Sequence, residues 1–446
     1  MPGRTPSSAQ RDTALSRTLR WALILAAAIG APAGAEAAWD FFGDIRFTGG
    51  RADNPRLLDP NQPAELRRAQ NQETLGLTLG ARAKWEKTDF DFSYSPYGEF
   101  YEESDLSQVG HAFGLTWDHR YTPRLSMRLK EDFGYSPKLP TNPIDPNTPG
   151  LGGALIGETS TTSHDFRDTL TFRATEKSTI SWWYRNLLRS YSNDQLLDVT
   201  GNAAGTEYAR IFGPHVTLSG GYEFGLFKFR DGEPPNFPSS LVQFCESRDP
   251  NKPTDPNCIA FVAAANAIPA EDQGFDRHRL YGGYAYDVPA GLHADAAVGY
   301  DALVFDNADF GTTSRPFLRG AVGWNGARFH SRVGYEQGLD EGGGVATSAE
   351  LRRLQADVRL QFTEKISFDV SALRDDRRAI DFEGNTSEVS LVTTRGAGTF
   401  TYKLEHGWAL LALFSHDRQT TEGILSPPDD VKTTRYALGA SWSFAR

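Results

Sequence analysis

Nine histidines stand at positions 111, 119, 164, 215, 278, 293, 330, 406 and 416, and none has the short fixed spacing to a Cys, acid or second His that a metal site uses. No Ser, His and Asp fall at matching ends of neighbouring segments, as a nucleophile, its base and an orienting acid would. The expectation is a chain that is not an enzyme, holds no metal and carries no cofactor. Two cysteines, Cys245 and Cys258, bracket the Pro- and Asn-rich stretch ESRDPNKPTDPN. In an exported protein such a pair is expected to close as a disulfide. What recurs instead is charge at every second position: Arg82 and Lys84, Arg128, Lys130 and Asp132, Arg277 and Arg279, Asp357 and Arg359. Side chains two apart share a face only where the backbone is extended.

The rest of the chain is patterned as extended backbone. LGLTLGARAKW places Leu75, Leu77, Leu79, Ala81, Ala83 and Trp85 on one face and Thr74, Gly76, Thr78, Gly80, Arg82 and Lys84 on the other. This period of two is the strand signature. It returns in LTWDHRY, LSMRLKEDFGY, VTLSGGYEF, LQADVRLQF and FTYKL. No helix-period segment of useful length interrupts it after residue 38.

The connectors alternate in length. Short ones lie at 86–88, 122–124, 175–178, 212–215, 287–291, 325–326, 363–365 and 405–407; long polar ones lie between them. Three of the short ones sit in near-repeats, AKWEKTDFDF, FRATEKSTISWW and RLQFTEKISF, where a charged turn is held between aromatics. Trp and Tyr prefer the interface between lipid and water. Trp85, Trp117, Trp182, Tyr284, Trp324, Phe362, Tyr402, Trp408 and Trp442 therefore read as a girdle at the short-turn end. An up-and-down antiparallel meander with short turns at one end, long loops at the other and an aromatic girdle is the pattern of a transmembrane β-barrel. The expected fold is all-β with about eighteen strands. Sixteen is the other count, because 203–212 and 387–395 are weakly patterned. A propeller or a β-helix would lack both the girdle and the alternation of connectors.

If the apolar face is outside, the opposite face lines the interior. Arg82, Arg128, Arg173, Arg277, Arg279, Arg319, Arg332 and Arg359 fall there, with Asp357 and Asp369 among the acids. The face carries a cationic excess although the chain has a net charge of −11. Two readings follow: the charges pair across neighbouring strands, or they form a constriction that favours anions.

The first residues read separately. Arg4, Arg11, Arg17 and Arg20 precede the apolar run Trp21–Gly30, and small residues follow, as in a signal peptide over 1–37 cleaved after Ala35 or Ala37. The barrel then spans 38–446, with long extracellular loops at 50–72, 136–162 and 230–274. The acidity of the chain argues against a nucleic-acid partner.

The last segment, RYALGASWSFAR, puts Tyr436, Leu438, Ala440, Trp442 and Phe444 on one face. It resembles the closing strand of Gram-negative outer-membrane barrels, whose terminal Phe is read by the insertion machinery; here Ala445 and Arg446 follow Phe444. More narrowly, the pattern over 38–446 resembles the beta-barrel porin 2 family that accompanies exopolysaccharide secretion. The resemblance implies an integral outer-membrane protein with both termini in the periplasm. Its expected partners are outer-membrane lipid, lipopolysaccharide and the insertion machinery. With the inward-facing charges, the expected function is passage of polar solutes through a net-cationic lumen. Two other roles stay open: a dedicated exopolysaccharide export channel working with periplasmic export components, and a structural sheath around an electron-transfer partner.

Overall fold

The computed structural model describes residues 38–55, 67–103, 106–137, 160–192, 198–230, 274–289, 291–306, 311–340, 349–380, 386–422 and 429–445. The segment 1–37, both cysteines and, of the three long loops, residues 56–66, 138–159 and 231–273 lie outside these residues. The described chain is eighteen strands. They are β1 (Ala38–Ala52), β2 (Gln70–Lys84), β3 (Thr88–Tyr101), β4 (Gln108–Arg120), β5 (Leu125–Ser136) and β6 (Thr161–Thr175). Next come β7 (Ser178–Tyr191), β8 (Asp198–Phe212), β9 (Val216–Arg230), β10 (Gly274–Asp287), β11 (Leu292–Phe305) and β12 (Thr312–Asn325). The last six are β13 (Phe329–Asp340), β14 (Ala349–Gln361), β15 (Ile366–Ile380), β16 (Thr386–Lys403), β17 (Trp408–Glu422) and β18 (Asp429–Ala445).

Each strand pairs antiparallel with the next, and β1 pairs with β18 from Phe42↔Ala445 to Ala52↔Arg435. The sheet is therefore a closed barrel with no free edge to satisfy. Both weakly patterned segments are strands, within β8 and β16, which settles the count at eighteen.

Register turns the sequence alternation into two faces. One row runs Val358, Val370, Gly398, Phe414, Tyr436 across β14 to β18; the next runs Arg359, Asp369, Thr399, Leu413, Ala437. The first face is outside: Leu438 is 71% exposed, Leu280 65% and Val298 60%. Single exposed apolar residues mean little, but a continuous band of them around a closed sheet is a surface built against something apolar.

The short turns explain the repeated threonine in the charged motifs. Thr363 Oγ1 accepts hydrogen bonds from the backbone N–H groups of Lys365 and Ile366, at 3.2 and 3.0 Å. Thr122 does the same for Arg124 and Leu125, at 3.2 and 3.0 Å, and Thr175 for Lys177, at 3.2 Å. A hydroxyl at this place mimics a backbone turn and leaves the charged residues beside it in solvent. The turn before β17 uses His406 and Gly407 at positive φ instead (58° and 82°).

At the other end the strands run on into the expected loops. β1 continues to Ala52 and β2 starts at Gln70, both within 50–72, and β6 starts at Thr161, within 136–162. The polar character of these ends hides them, because alternation is visible only where one face is apolar, while the backbone ladder continues regardless.

Closure brings β1 and β18 close together. A Cβ on Gly439 would lie 2.1 Å from the Phe47 carbonyl oxygen, whereas one on Gly49 would meet nothing within 4 Å. Gly439→Ala is expected to destabilise the barrel by about 2–3 kcal/mol through overpacking against backbone. Gly49→Ala should cost little. Urea unfolding of the two variants in detergent checks the contrast.

Candidate functional site

The interior wall is the one surface that gathers charge. Register places Arg82, Arg128, Arg173, Arg277, Arg279, Arg319, Arg332, Arg359, Asp357 and Asp369 on the face opposite the apolar band. Most meet an acid on the neighbouring strand. Arg82 Nε donates to Asp91 at 2.5 Å, Arg128 to Asp118 at 2.6 Å, and Arg279 to Asp301 at 2.6 and 2.9 Å. Arg277 donates to Glu223, and Arg359 to Asp369. Arg332 faces Asp357 across β13 and β14. Arg173 and Arg319 make no ion pair among the described residues.

The interior has two zones. Toward the short turns the pairs stand in open space: the side chains of Arg82, Arg128 and Arg359 are 61%, 66% and 64% exposed. Toward the long connectors they are packed: Arg277 is 5% exposed and Asp301 0%. Sequence reasoning missed most of this second zone, including Arg353–Asp375 at 2.8 Å, Arg377–Asp340 at 2.8 Å and Arg395–Asp417 at 2.6 Å. It also missed Glu99, which accepts from Tyr101 and Gln108 at 3.0 Å each. Carrying the parity of each strand past the end of the apolar band would have found them. Exposed pairs contribute about 0–1 kcal/mol. In buried pairs the energy lies in the cost of stranding one partner.

The packed zone is built by a strand that leaves the wall. β13 pairs with β12 only as far as Leu318↔Gln337, yet stays with β14 as far as Asp340↔Ala349. Its end bends into the interior. The Leu339 N–H donates to Asp301 on β11 at 2.9 Å, and the Leu339 side chain joins a buried cluster with Leu187, Val199, Phe227, Phe275 and Leu303. Gly338 permits the approach, because a Cβ there would lie 2.8 Å from Asp301 Oδ2 and 3.1 Å from the Phe317 ring. Asp340 then pairs with Arg377 of β15, and both act electrostatically on Tyr191 of β7, far around the ring. The interior is crossed at this level.

The aromatics expected as a girdle all lie at the short-turn end. Trp182, Tyr284, Trp324, Phe362, Tyr402 and Trp408 are exposed on the outer face. Trp85 meets Trp39 edge-on at 5.8 Å, Trp117 stacks on His119 at 5.5 Å, and Trp442 lies 6.4 Å from Trp408 and 5.3 Å from Phe444. Trp39 belongs to the row too and was missed. Phe444 sits at the seam opposite Gly43 of β1. No group of His, Cys and acids suited to a metal occurs among the described residues.

The fold is similar to solved outer-membrane proteins at low identity. OccAB3 of Acinetobacter baumannii shares 10% identity over 92% of this chain and 100% of its own, with a TM-score of 0.41. OpdO of Pseudomonas aeruginosa shares 12% over 92% and 97%, with a TM-score of 0.42. The outer membrane protein opdK of the same organism shares 12% over 92% and 99%, with a TM-score of 0.43. No protein-family model and no curated protein matches the sequence. Likeness this distant does not bear on what the interior does.

Asp301 is the joint of the packed zone, since it accepts from both Arg279 and the bent strand. Asp301→Ala strands a buried guanidinium and frees Leu339. It is expected to cost about 3–5 kcal/mol in urea unfolding and to speed amide exchange at Leu339 and Asp340. Unchanged exchange there would mean that Asp301 does not hold the strand.

Proposed function

We propose that the chain is an integral outer-membrane channel that passes polar solutes through a charged, selective lumen. One observation carries the proposal: a closed sheet that shows apolar side chains outward and ion pairs inward all around the ring. Only a barrel can satisfy every backbone group in hydrocarbon without helices, and a barrel of this strand number has room for an aqueous lumen. The aromatic row at the short-turn end supports an interface there. In this reading the short turns and both termini face the periplasm, residues 1–37 direct export, and the bridged cysteines lie in an extracellular loop.

Most lumen charges are neutralised by a neighbour. Selectivity then rests on cations without an ion pair, Arg173 and Arg319 among them, and on Arg332, and these tilt the lumen toward anions. The exopolysaccharide-export reading is supported by the resemblance to the beta-barrel porin 2 family. Both it and the sheath reading need a lumen open from end to end, so the contact of Leu339 with Asp301 would have to give way. As it stands, the crossing suits small solutes.

Purified protein in planar bilayers tests this. Conductance is expected to be small and anion-favouring at low salt. The preference should shrink as the Debye length falls from about 10 Å at 0.1 M to about 3 Å at 1 M. Replacing Arg173, Arg319 and Arg332 together with Gln should move the reversal potential toward cations. Cation selectivity unaltered by the triple change would sink the anion preference, and absence of any conductance would sink the solute channel.

A further inference from the structure

The outer band is apolar on nearly every strand, but one sector breaks the rule. Glu131 of β5 and Asp168 of β6 stand on the outward parity, in register with Phe166 and Leu129 respectively. Each is flanked along its own strand by apolar outward residues, Leu129 and Phe133 for Glu131, Phe166 and Leu170 for Asp168. Among the described residues, no other strand sets a carboxylate between two apolar side chains on this face. A carboxylate side chain is too short to reach a headgroup from there, and hydrocarbon offers it no donor.

The sector is also joined across its strands by hydrogen bonds. Glu131 pairs with His164 at 2.6 Å, and His164 is hydrogen-bonded to Asn186 of β7. The Asn186 amide donates to Asn202 Oδ1 of β8 at 2.9 Å, and the Tyr184 hydroxyl donates to the same oxygen at 2.6 Å. Asp168 accepts a hydrogen bond from the neighbouring Thr169 N–H, but its Oδ1 is shielded from solvent and has no side-chain partner. Carboxylates thus stand on β5 and β6, while side-chain amides and a phenol hydroxyl stand on β7 and β8.

We propose that this outer face of β5 to β8 is where a second copy of the chain docks, about a twofold axis along the membrane normal; the proposal rests on the membrane reading above. Such an axis between β6 and β7 carries β5 of one copy to β8 of the other, and β6 to β7. The carboxylate strands then face the amide and hydroxyl strands at equal depth. Glu131 meets the free amide hydrogens of the partner's Asn202, and Asp168 faces the partner's Tyr184 and Asn186, whose donors would turn to it from Asn202 and the Gly201 carbonyl of their own chain. This is the self-complementarity an isologous interface requires. The interface gives Asp168 the side-chain partner it lacks within its own chain.

The test uses the full chain in phospholipid vesicles, after flotation has shown that it inserts. Protein that does not float with the vesicles sinks the membrane reading itself. In a Cys245→Ser, Cys258→Ser background, Leu170→Cys beside the axis should cross-link to a dimer on mild oxidation. Val370→Cys, on the far side of the barrel, should not. Sedimentation of the wild type should show a dimer, and Glu131→Leu with Asp168→Leu should lower its dimer fraction at least tenfold. In a monomeric barrel the same double change would remove charge from lipid and leave the sedimentation as it was. Floating protein that sediments as a monomer, equal cross-linking at 170 and 370, or a dimer indifferent to the double change would each overturn the proposal.

Discussion

The whole molecule depends on one constraint: no backbone N–H or C=O may be left without a partner on the outer surface of the sheet. An open sheet of seventeen pairings would present two raw edges. The eighteenth, between β1 and β18, removes them, and it does so over eleven residue pairs from Phe42↔Ala445 to Ala52↔Arg435. Once the ring is closed, alternation has only two destinations. Within the band, the Leu, Val and Phe of one parity go outside, and the Arg and Asp of the other go into a shared interior. Sorting by parity therefore makes the polar wall without any residue having been placed for function.

The interior then follows from electrostatics. Charges on neighbouring inward positions lie about 5 Å apart across the ladder, close enough to pair, and most do. Pairing removes the broad cationic field that the inward arginines suggest when they are counted alone. What remains distinctive is the packed zone, where Asp301 binds Arg279 and the bent end of β13 together. Losing part of the β12 ladder frees backbone groups of β13, and the carboxylate of Asp301 satisfies one of them. A buried acid thus replaces a strand neighbour, and the bent end of β13 narrows the cross-section.

Much of this was legible in the sequence, and its limits have physical causes. Period two between Leu75 and Trp85, or Leu354 and Phe362, requires a strand with one apolar side, and the connectors then give a meander of about eighteen, with sixteen left open by the weak patterning of 203–212 and 387–395. Beyond the apolar band both faces are polar, so the ends of β1, β2 and β6 carry no alternation and read as loop. The inward bend of β13 is invisible for another reason: Gly338, Leu339 and Asp340 look like any strand leaving the band, and only the three-dimensional neighbour Asp301 distinguishes them. Glu131 and Asp168 were visible as interruptions in an apolar parity, but nothing along the chain shows that they share one sector with His164, Asn186 and Asn202.

The central claim is that parity along each strand divides lipid from water. A cysteine scan of β14 from Leu354 to Leu360 tests it most directly, in vesicles and with a small charged maleimide. Cysteines at 355, 357 and 359, on the ion-paired face, should be labelled; those at 354, 356, 358 and 360 should stay protected. Labelling without a period of two, or protection at 355, 357 and 359 with reaction at the even positions, would contradict the account.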